Sequence, residues 1–396
     1  MRELLAQSFR AAIAAADPLR ILPGHLPPRP RGRIFVAAAG KAAASMAAAA
    51  ESHYGAALEG IAITRYGHGL PTRHIKVVEA GHPVPDSAGE TAAREIFSRT
   101  KELDEDDLLL ALLSGGGSSL LAFPIEGLGM AELTKLTGEL LRSGATIQEI
   151  NTVRKHLSAI AGGRLAAACR GKVLALIISD VVGDDPTHIA SGPCVADPTT
   201  VDDAKAILSR YGIDFRGPFS ESPKSVEATN KVIATAYRSL EAAAEVFRKQ
   251  GIRAEILGDT ITGEASEVGR EMAQRALKTK GPAVLISGGE CTVTIEDSQE
   301  NAGGRGGRCA EFLLSLGIAL RGQPNIWGIA ADTDGIDGSE DNAGAILAPD
   351  SVSRNPDAER LLGRHDSYGF FQSLGDLVVT GPTRTNVNDY RAILVL

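Results

Sequence analysis

The sequence predicts an α/β protein of two domains. The first is a Rossmann-like domain with a doubly wound, mostly parallel sheet. The second is a smaller mixed-sheet α/β domain, and an active site is expected in the cleft between them. Three observations predict this. Short apolar runs alternate with helical patterns, as βαβ units require. Glycine is abundant (44 residues) and aromatic residues are scarce (4%), which favours layers joined by tight turns over an aromatic-packed β sandwich. At 396 residues the chain is too long for one ordinary core.

The elements follow in order. The opening MRELLAQSFRAAIAAADP reads as an amphipathic helix with charges inside it, without the apolar stretch and cleavage site of a signal peptide. A proline-rich link at 22–30 (LPGHLPPRP) precedes a buried strand at 34–40 (IFVAAAG) and an alanine-rich helix from Lys41. Further β-like runs fall at 60–65, 75–80, 108–113 and 173–179. Between the last two, a helical region extends from Ala131 through INTVRKHLSAIAGGRLAAA (150–168). A second set begins near Ser225, with a long helix over 231–250 closed by Gly251. The runs IRAEILGD, PAVLISGGECTVTI, IWGIAADTDG, DLVVTGPT and YRAILVL complete it. The loop 212–223 is the linker candidate, so the domains are expected at 1–220 and 221–396, with the first helix able to join either.

Composition narrows the function. A formal charge of −8 argues against nucleic acid as main partner, since phosphate-backbone binding needs a basic face. No window approaches about eighteen uninterrupted apolar residues, so no membrane span is expected. Cys169, Cys194, Cys291 and Cys309 lie far apart with no Cys-x-x-Cys, and the eight histidines show no His-x-x-x-His spacing. A disulfide framework or zinc site is therefore not expected, and a reducing cytoplasm is the simplest address.

The most informative stretch is 109–121, LLALLSGGGSSLL. An apolar strand that stops in glycines before a helix gathers bare backbone N–H groups and the positive end of a helix dipole, a concavity suited to phosphate. A tight strand-to-helix turn is the equal alternative. The loop lacks the lysine of Gly-x-x-x-x-Gly-Lys-Ser/Thr and the third glycine of Gly-x-Gly-x-x-Gly, so neutralising charge must come from elsewhere. Lys41 follows Gly40 at a strand end, where a cation sits badly beside a helix N-terminus unless an anion is present. A second strand ends LISGGE (285–290), so each domain offers a glycine-rich strand end toward a shared cleft.

Loop 179–193 (SDVVGDDPTHIASGP) groups Asp180, Asp184 and Asp185 with His188 and Ser191. These carboxylates suit Mg²⁺, or a substrate hydroxyl proton, or plain Asx turns and a cap. Loop 330–345 (AADTDGIDGSEDNAGA) carries Asp332, Asp334, Asp337, Glu340 and Asp341. Its spacing rules out a calcium hand and leaves a magnesium-phosphate or a solvated loop. Residues 301–312 (NAGGRGGRCAEF) set Arg305 and Arg308 among four glycines before a helix. Arginine there pairs bidentately with carboxylate or phosphate, or rides an exposed loop. EAGHPVPD (79–86), NTVRKH (151–156) and TGPTRTNVND (380–389) complete the polar segments, with His82 reading as a loop hydrogen-bonding residue.

Taken together, AAAGKAA (37–43), EAGHPVPD, LLSGGGSSLL, INTVRKHLSAIAGGRLA, SDVVGDDPTHIASGPCVADPTT, LISGGECTV, GRGGR, TDGIDG and TGPTRTNVND resemble the two-domain glycerate 2-kinase family, which has a C-terminal leucine-rich module and in places bears the label hydroxypyruvate reductase. The resemblance covers nearly the whole chain. It implies phosphorylation of the 2-hydroxyl of D-glycerate by ATP with Mg²⁺, giving 2-phosphoglycerate and ADP. Carried over by position, Lys41 is the family's active-site lysine and Arg308 its active-site arginine. Gly115, Gly116, Gly117, Ser118 and Ser119 would hold nucleotide phosphates or the substrate carboxylate. Asn151, Lys155, Asp184, Ser191, Gly288, Gly289, Glu290 and Arg305 are further expected nucleotide or substrate positions. Asp180 is the expected hydroxyl activator, with Asp184 the alternative, and Asp180, Asp332 and Asp334 are the expected Mg²⁺ ligands. The implied partner is a small 2-hydroxy acid, and a homodimer stays open.

The chain departs from the family at two places. It reads GRCAE over 307–311 where Gly-Arg-Asn-Gln-Glu is usual, and Ala228-Thr229-Asn230 where Gly-Ser-Asn is typical. A related sugar acid is therefore an alternative acceptor. An NAD(P)H-dependent hydroxypyruvate reductase is the competing enzyme, and a cleft-retaining binding protein the third reading. No stretch supplies both Gly-x-Gly-x-x-Gly after a strand and an acidic residue about twenty positions on, as the reductase requires.

Overall fold

The computed structural model describes residues 1–181, 183–295 and 304–396. The chain divides into two compact units, Pro18–Ile233 on the one hand and Met1–Asp17 with Ala234–Leu396 on the other. Among the described residues no helix is long and apolar enough to cross a membrane.

In the unit Pro18–Ile233 the apolar runs become strands β1 (Ile34–Ala39), β2 (Leu58–Arg65), β3 (Ile75–Ala80), β4 (Leu108–Leu113) and β5 (Lys172–Ile178), followed by β6 (Thr229–Ala234). They form one sheet in the order β3-β2-β1-β4-β5-β6, and the pairings from β3 through β5 are parallel. Strands β1 and β4 are buried along their whole length, which is why they read as unbroken apolar runs. The helix Ser87–Lys101 lays Ala92, Ala93 and Ile96 on this core, and Asp86 caps it by accepting from the Gly89 N–H at 3.0 Å. A second apolar cluster joins the helices Met130–Arg142, Ile147–His156 and Val201–Arg210 through Leu136, Leu140, Val153 and Leu208. The latter two helices start in reciprocal capping boxes, Thr146 with Glu149 and Thr200 with Asp203.

The other unit contains β7 (Arg253–Ile256), β8 (Gly263–Glu264), β9 (Ala283–Gly289), β10 (Cys291–Thr292), β11 (Ile326–Asp332), β12 (Gly344–Leu347), β13 (Leu377–Val378) and β14 (Asp389–Val395). Its main sheet runs β13-β12-β11-β14-β9-β7 and is mixed: β7 and β9 are parallel, the other pairings antiparallel. Helices Ala265–Lys278 and Arg308–Leu320 cover one face. The opening helix Arg2–Ala15 and the helix Ala236–Arg248 cover the other. The opening helix docks through Leu5, Phe9 and Ala12; Phe9 stacks on Tyr390 at 5.8 Å, and the Tyr390 hydroxyl donates to Ser8 Oγ at 2.8 Å.

The long helix expected over 231–250 is a correction. Residues 229–234 extend the first sheet as β6, and the helix begins only at Ala236, where the Thr235 side chain accepts from the Arg238 N–H at 3.4 Å. A threonine that caps a helix ends the strand before it.

Candidate active site

The sheet of Pro18–Ile233 reverses its strand order between β1 and β4, and open α/β sheets bind ligands at the carboxyl ends of strands beside such a reversal. The two strands end in register, Ala39 opposite Leu113, so the turns that follow must meet. Gly40 makes the meeting feasible: its φ is 128°, and a Cβ there would lie 2.2 Å from Ser114 Oγ. The Lys41 N–H donates to Gly115 O at 2.8 Å and the Ala42 N–H to Ser114 Oγ at 3.0 Å. Gly116, at φ 80°, is left-handed, and a Cβ there would sit 2.9 Å from His82 Nε2 and 3.4 Å from Lys41 Cγ. Lysine stem and imidazole thus flank the glycine loop.

Two expectations about this loop change. The helix expected from Lys41 begins at Ala43, which leaves Lys41 in the turn. The helix after the glycines is a single turn, Gly117–Leu120, too short to build a macrodipole. Charge for an anion must therefore come from side chains.

The loop after β5 reaches the same place. A Cβ on Gly117 would lie 2.5 Å from Ala190 Cβ, so the two segments touch because glycine is there. Ala190, Ser191 and Gly192 are consecutively left-handed at φ 50°, 58° and 59°. Two turn glycines hold them: the Gly162 N–H donates to Ser191 O at 2.9 Å and the Gly163 N–H to Gly192 O at 2.8 Å. Left-handed non-glycine residues cost of order 1 kcal/mol each. Here they bring Ser191 Oγ to 2.8 Å from Ser118 Oγ. Ser118, Ser119 and Ser191 line a cavity of about 330 Å³ inside this unit. Asp180 stands one residue beyond the end of β5, after Ser179, and Asp184 is half-buried at φ 54°. Val182, within the same loop, lies outside the described residues.

On the helix Ile147–His156 the expected contacts divide. Asn151 is buried with no hydrogen-bond partner for its Oδ1 among the described residues. Lys155 Nζ lies 3.2 Å from Asp197 Oδ1, with both side chains buried. Asp197 also accepts from Thr199 and Ser222 hydroxyls, each at 2.8 Å. Burial works to raise its pKa, but the Thr199 and Ser222 hydroxyls and Lys155 hold it below the usual carboxylate value. This buried pair joins the helix to the segment before Val201–Arg210.

The other unit carries a cluster around Arg308, the first residue of the helix Arg308–Leu320. Registers Gly289↔Asp389 and Asp389↔Asp332 set three strand ends side by side. Arg308 Nε donates to Asp389 Oδ1 at 2.9 Å and Nη2 to Asp332 Oδ2 at 2.7 Å, while Nη1 lies 3.5 Å from Glu290 Oε1. Burial opposes its charge, yet Asp389 and Asp332 hold its pKa above the ordinary guanidinium value. Asp337 caps the helix from a distant loop, accepting from the Cys309 and Ala310 N–H groups at 3.0 and 2.8 Å. Burial pushes its carboxyl up to about 7, against the pull of those two amides. Arg308 lines a cavity of about 260 Å³ with Glu311 and His365, whose Nδ1 is 3.1 Å from both Glu311 oxygens.

Asp332 and Asp334, expected as metal ligands, also hold protein groups. Asp332 holds Arg308 through one oxygen and accepts the Asp334 N–H at 2.9 Å through the other; Asp334 Oδ1 accepts the Ile336 N–H at 2.9 Å. A dication there would face the guanidinium. Among the described residues no three His, Cys, Asp or Glu side chains converge as a metal group. Gly288 and Gly289, expected at a ligand, lie against a neighbouring loop. The Gly288 N–H donates to Gly258 O at 2.9 Å, and a Cβ on Gly289 would lie 2.3 Å from Ile261 O. These glycines admit the neighbouring 258–261 loop. Arg305 is half-way along another path, 4.9 Å over the Tyr368 ring and 3.3 Å from Gln372 Oε1. Residues 301–303 of its loop lie outside the described residues.

A doubly wound sheet with a lysine and a glycine–serine loop at its switch point is the architecture of an anion-handling α/β enzyme. Comparison with known proteins sharpens the class. Residues 4–229 match the family model described as "Domain of unknown function (DUF4147)", and residues 283–389 match the MOFRL family. A "Putative hydroxypyruvate reductase" of Agrobacterium vitis is 51% identical, covering 100% of this chain and 94% of that protein. A "Glycerate 2-kinase" of Pyrococcus horikoshii is 41% identical, covering 90% of this chain and 86% of that one. The crystal structure of a glycerate kinase from Thermotoga maritima superposes with a TM-score of 0.90 at 38% identity, covering 100% of this chain and 99% of that one. The chain belongs to the two-domain glycerate 2-kinase family.

Proposed function

We propose that the chain transfers the γ-phosphoryl group of ATP to the 2-hydroxyl of D-glycerate, giving 2-phosphoglycerate and ADP. The observation that carries this reading is Lys41 packed against a glycine–serine loop at the β1/β4 switch point. Phosphoryl transfer asks for positioning and charge neutralisation more than covalent chemistry. The Lys41 ammonium neutralises phosphate oxygens, and the Ser118, Ser119 and Ser191 hydroxyls donate to them. Arg308, held by Asp332 and Asp389, is the second cation on which activity depends. The hydroxyl oxygen bonds to phosphorus as the bond to the β-bridging oxygen breaks, and the hydroxyl proton passes to Asp180.

Asp184 fits a magnesium ion, being half-buried with no hydrogen-bond partner for its carboxylate among the described residues; Asp332 and Asp334 do not fit. When bound, the ion shields the charge on the phosphate oxygens. The reductase reading fails at the first βα turn, where dinucleotide binding asks for three glycines and Gly40-Lys41-Ala42-Ala43 offers one. The Cys309–Ala310 departure does not argue against glycerate, because both side chains lie in the apolar core of their unit.

The test runs two assays side by side, ADP release with D-glycerate and NADH oxidation with hydroxypyruvate. ADP that appears only with acceptor and Mg²⁺ is expected. NADH consumption without ADP release would overturn the proposal.

A further inference from the structure

The helix Ile147–His156 ends in three basic residues, and the fold accounts for two of them. Lys155 pairs with Asp197, and His156 Nδ1 lies 2.8 Å from Thr152 O. Arg154 has no such account. Among the described residues its guanidinium makes no hydrogen bond and no ion pair, though the side chain is mostly buried. Burial pulls its pKa below the ordinary guanidinium value, and no carboxylate pulls it back. A guanidinium stays protonated nonetheless, so the fold carries a desolvated charge without a counter-charge.

Its surroundings say what would supply one. Arg154 lines the 330 Å³ cavity that also holds Ser118, Ser119 and Ser191. Two further cations, Lys135 and Arg142, line it, and no aspartate or glutamate does, in a chain whose net charge is −8. The remaining wall is apolar, with Leu121, Phe123 and Leu133 among its residues. A concave, apolar site with convergent donors and no acid is built for an organic anion.

We infer that Arg154 is the oxyanion-binding residue of this cavity, taking a nucleotide phosphate or the carboxylate of the hydroxy acid. The inference rests on the kinase reading and names the residue that grips a reactant within it. The cavity's size and apolar wall favour the nucleotide. An unpaired charge kept for a ligand should weaken the free protein, so its removal stabilises the fold while impairing binding. A structural arginine would do the reverse.

The experiment compares wild type with Arg154→Met and Arg154→Lys by calorimetric titration of three probes: a non-hydrolysable ATP analogue with Mg²⁺, D-glycerate, and inorganic pyrophosphate. Thermal melts of the ligand-free proteins accompany the titrations. The expected result is binding of the analogue or of glycerate about tenfold or more weaker in Arg154→Met, with a ligand-free Tm not below wild type. Whichever probe is lost identifies the oxyanion. Arg154→Lys, which keeps the charge without the planar fork, should fall between the two and serves if the methionine variant does not fold. Unchanged binding of all three probes, or a lowered Tm with unchanged binding by the folded fraction, would overturn the inference. Pyrophosphate keeps the two readings separable. If wild type releases no ADP yet loses pyrophosphate binding in Arg154→Met, the kinase reading falls and the anion site stands.

Discussion

The two cations of the proposed reaction are held in different ways, and substitution should separate them. Arg308 is braced by Asp332 and Asp389, both buried, so Arg308→Ala leaves two carboxylates without their partner. It should lose activity and also on the order of 3 kcal/mol of stability, read by denaturant unfolding. Lys41 lies in a turn fixed by backbone hydrogen bonds, so Lys41→Met should lower kcat roughly 10²-fold or more with an unchanged melt. A melt lowered as much as that of Arg308→Ala would make the lysine a structural residue. Ala310 gives a third outcome. Its side chain is fully buried among Phe312, Leu313 and their neighbours, so Ala310→Gln overpacks the core at about 1–3 kcal/mol. Acceptor preference, measured on a panel of 2-hydroxy acids, should not move.

At the scale of elements, the Lys155–Asp197 pair fastens the helix Ile147–His156 to the chain ahead of Val201–Arg210. Asp197 has a folded-state pKa below its unfolded value, so it binds its proton more weakly when folded. That contribution is complete above the unfolded pKa and is lost as pH falls through the lower folded value. Asp197→Asn should therefore flatten the acid limb of a Tm-against-pH curve below about pH 4, a slope unchanged from wild type counting against the pair. The same helix shows what sequence hides. Arg154 and Lys155 are adjacent and chemically alike, yet one meets an aspartate from a later loop and the other meets none. Strands β1 and β4 were legible because burial on both faces writes unbroken apolar runs. Strand β6 was not: TNKVIA begins with polar residues, and Thr235 reads as part of a helix until its capping bond is seen.

Across the whole molecule, Lys41, the glycine loop and the serines were legible as a site because they stand next to strand ends in the sequence. The Arg308 cluster was legible only in part. Glu290, Asp332 and Asp389 converge through the pairing of β9, β14 and β11, and antiparallel register across nearly a hundred residues leaves no local signal. Asp337, capping a helix that starts 29 positions before it, was missed for the same reason.

Strand β14 occupies the middle of its sheet, between β11 and β9, although it comes after both in the sequence. The helix Arg2–Ala15, far ahead of it in the sequence, rests partly on Tyr390 in that same strand. During synthesis this unit's first piece can meet the helix Ala236–Arg248 but stays only partly covered until residues 389–395 have left the ribosome. The unit Pro18–Ile233 has every strand of its sheet in hand well before then. The order of emergence makes the Arg308-bearing unit the one exposed longest to chaperones and to aggregation.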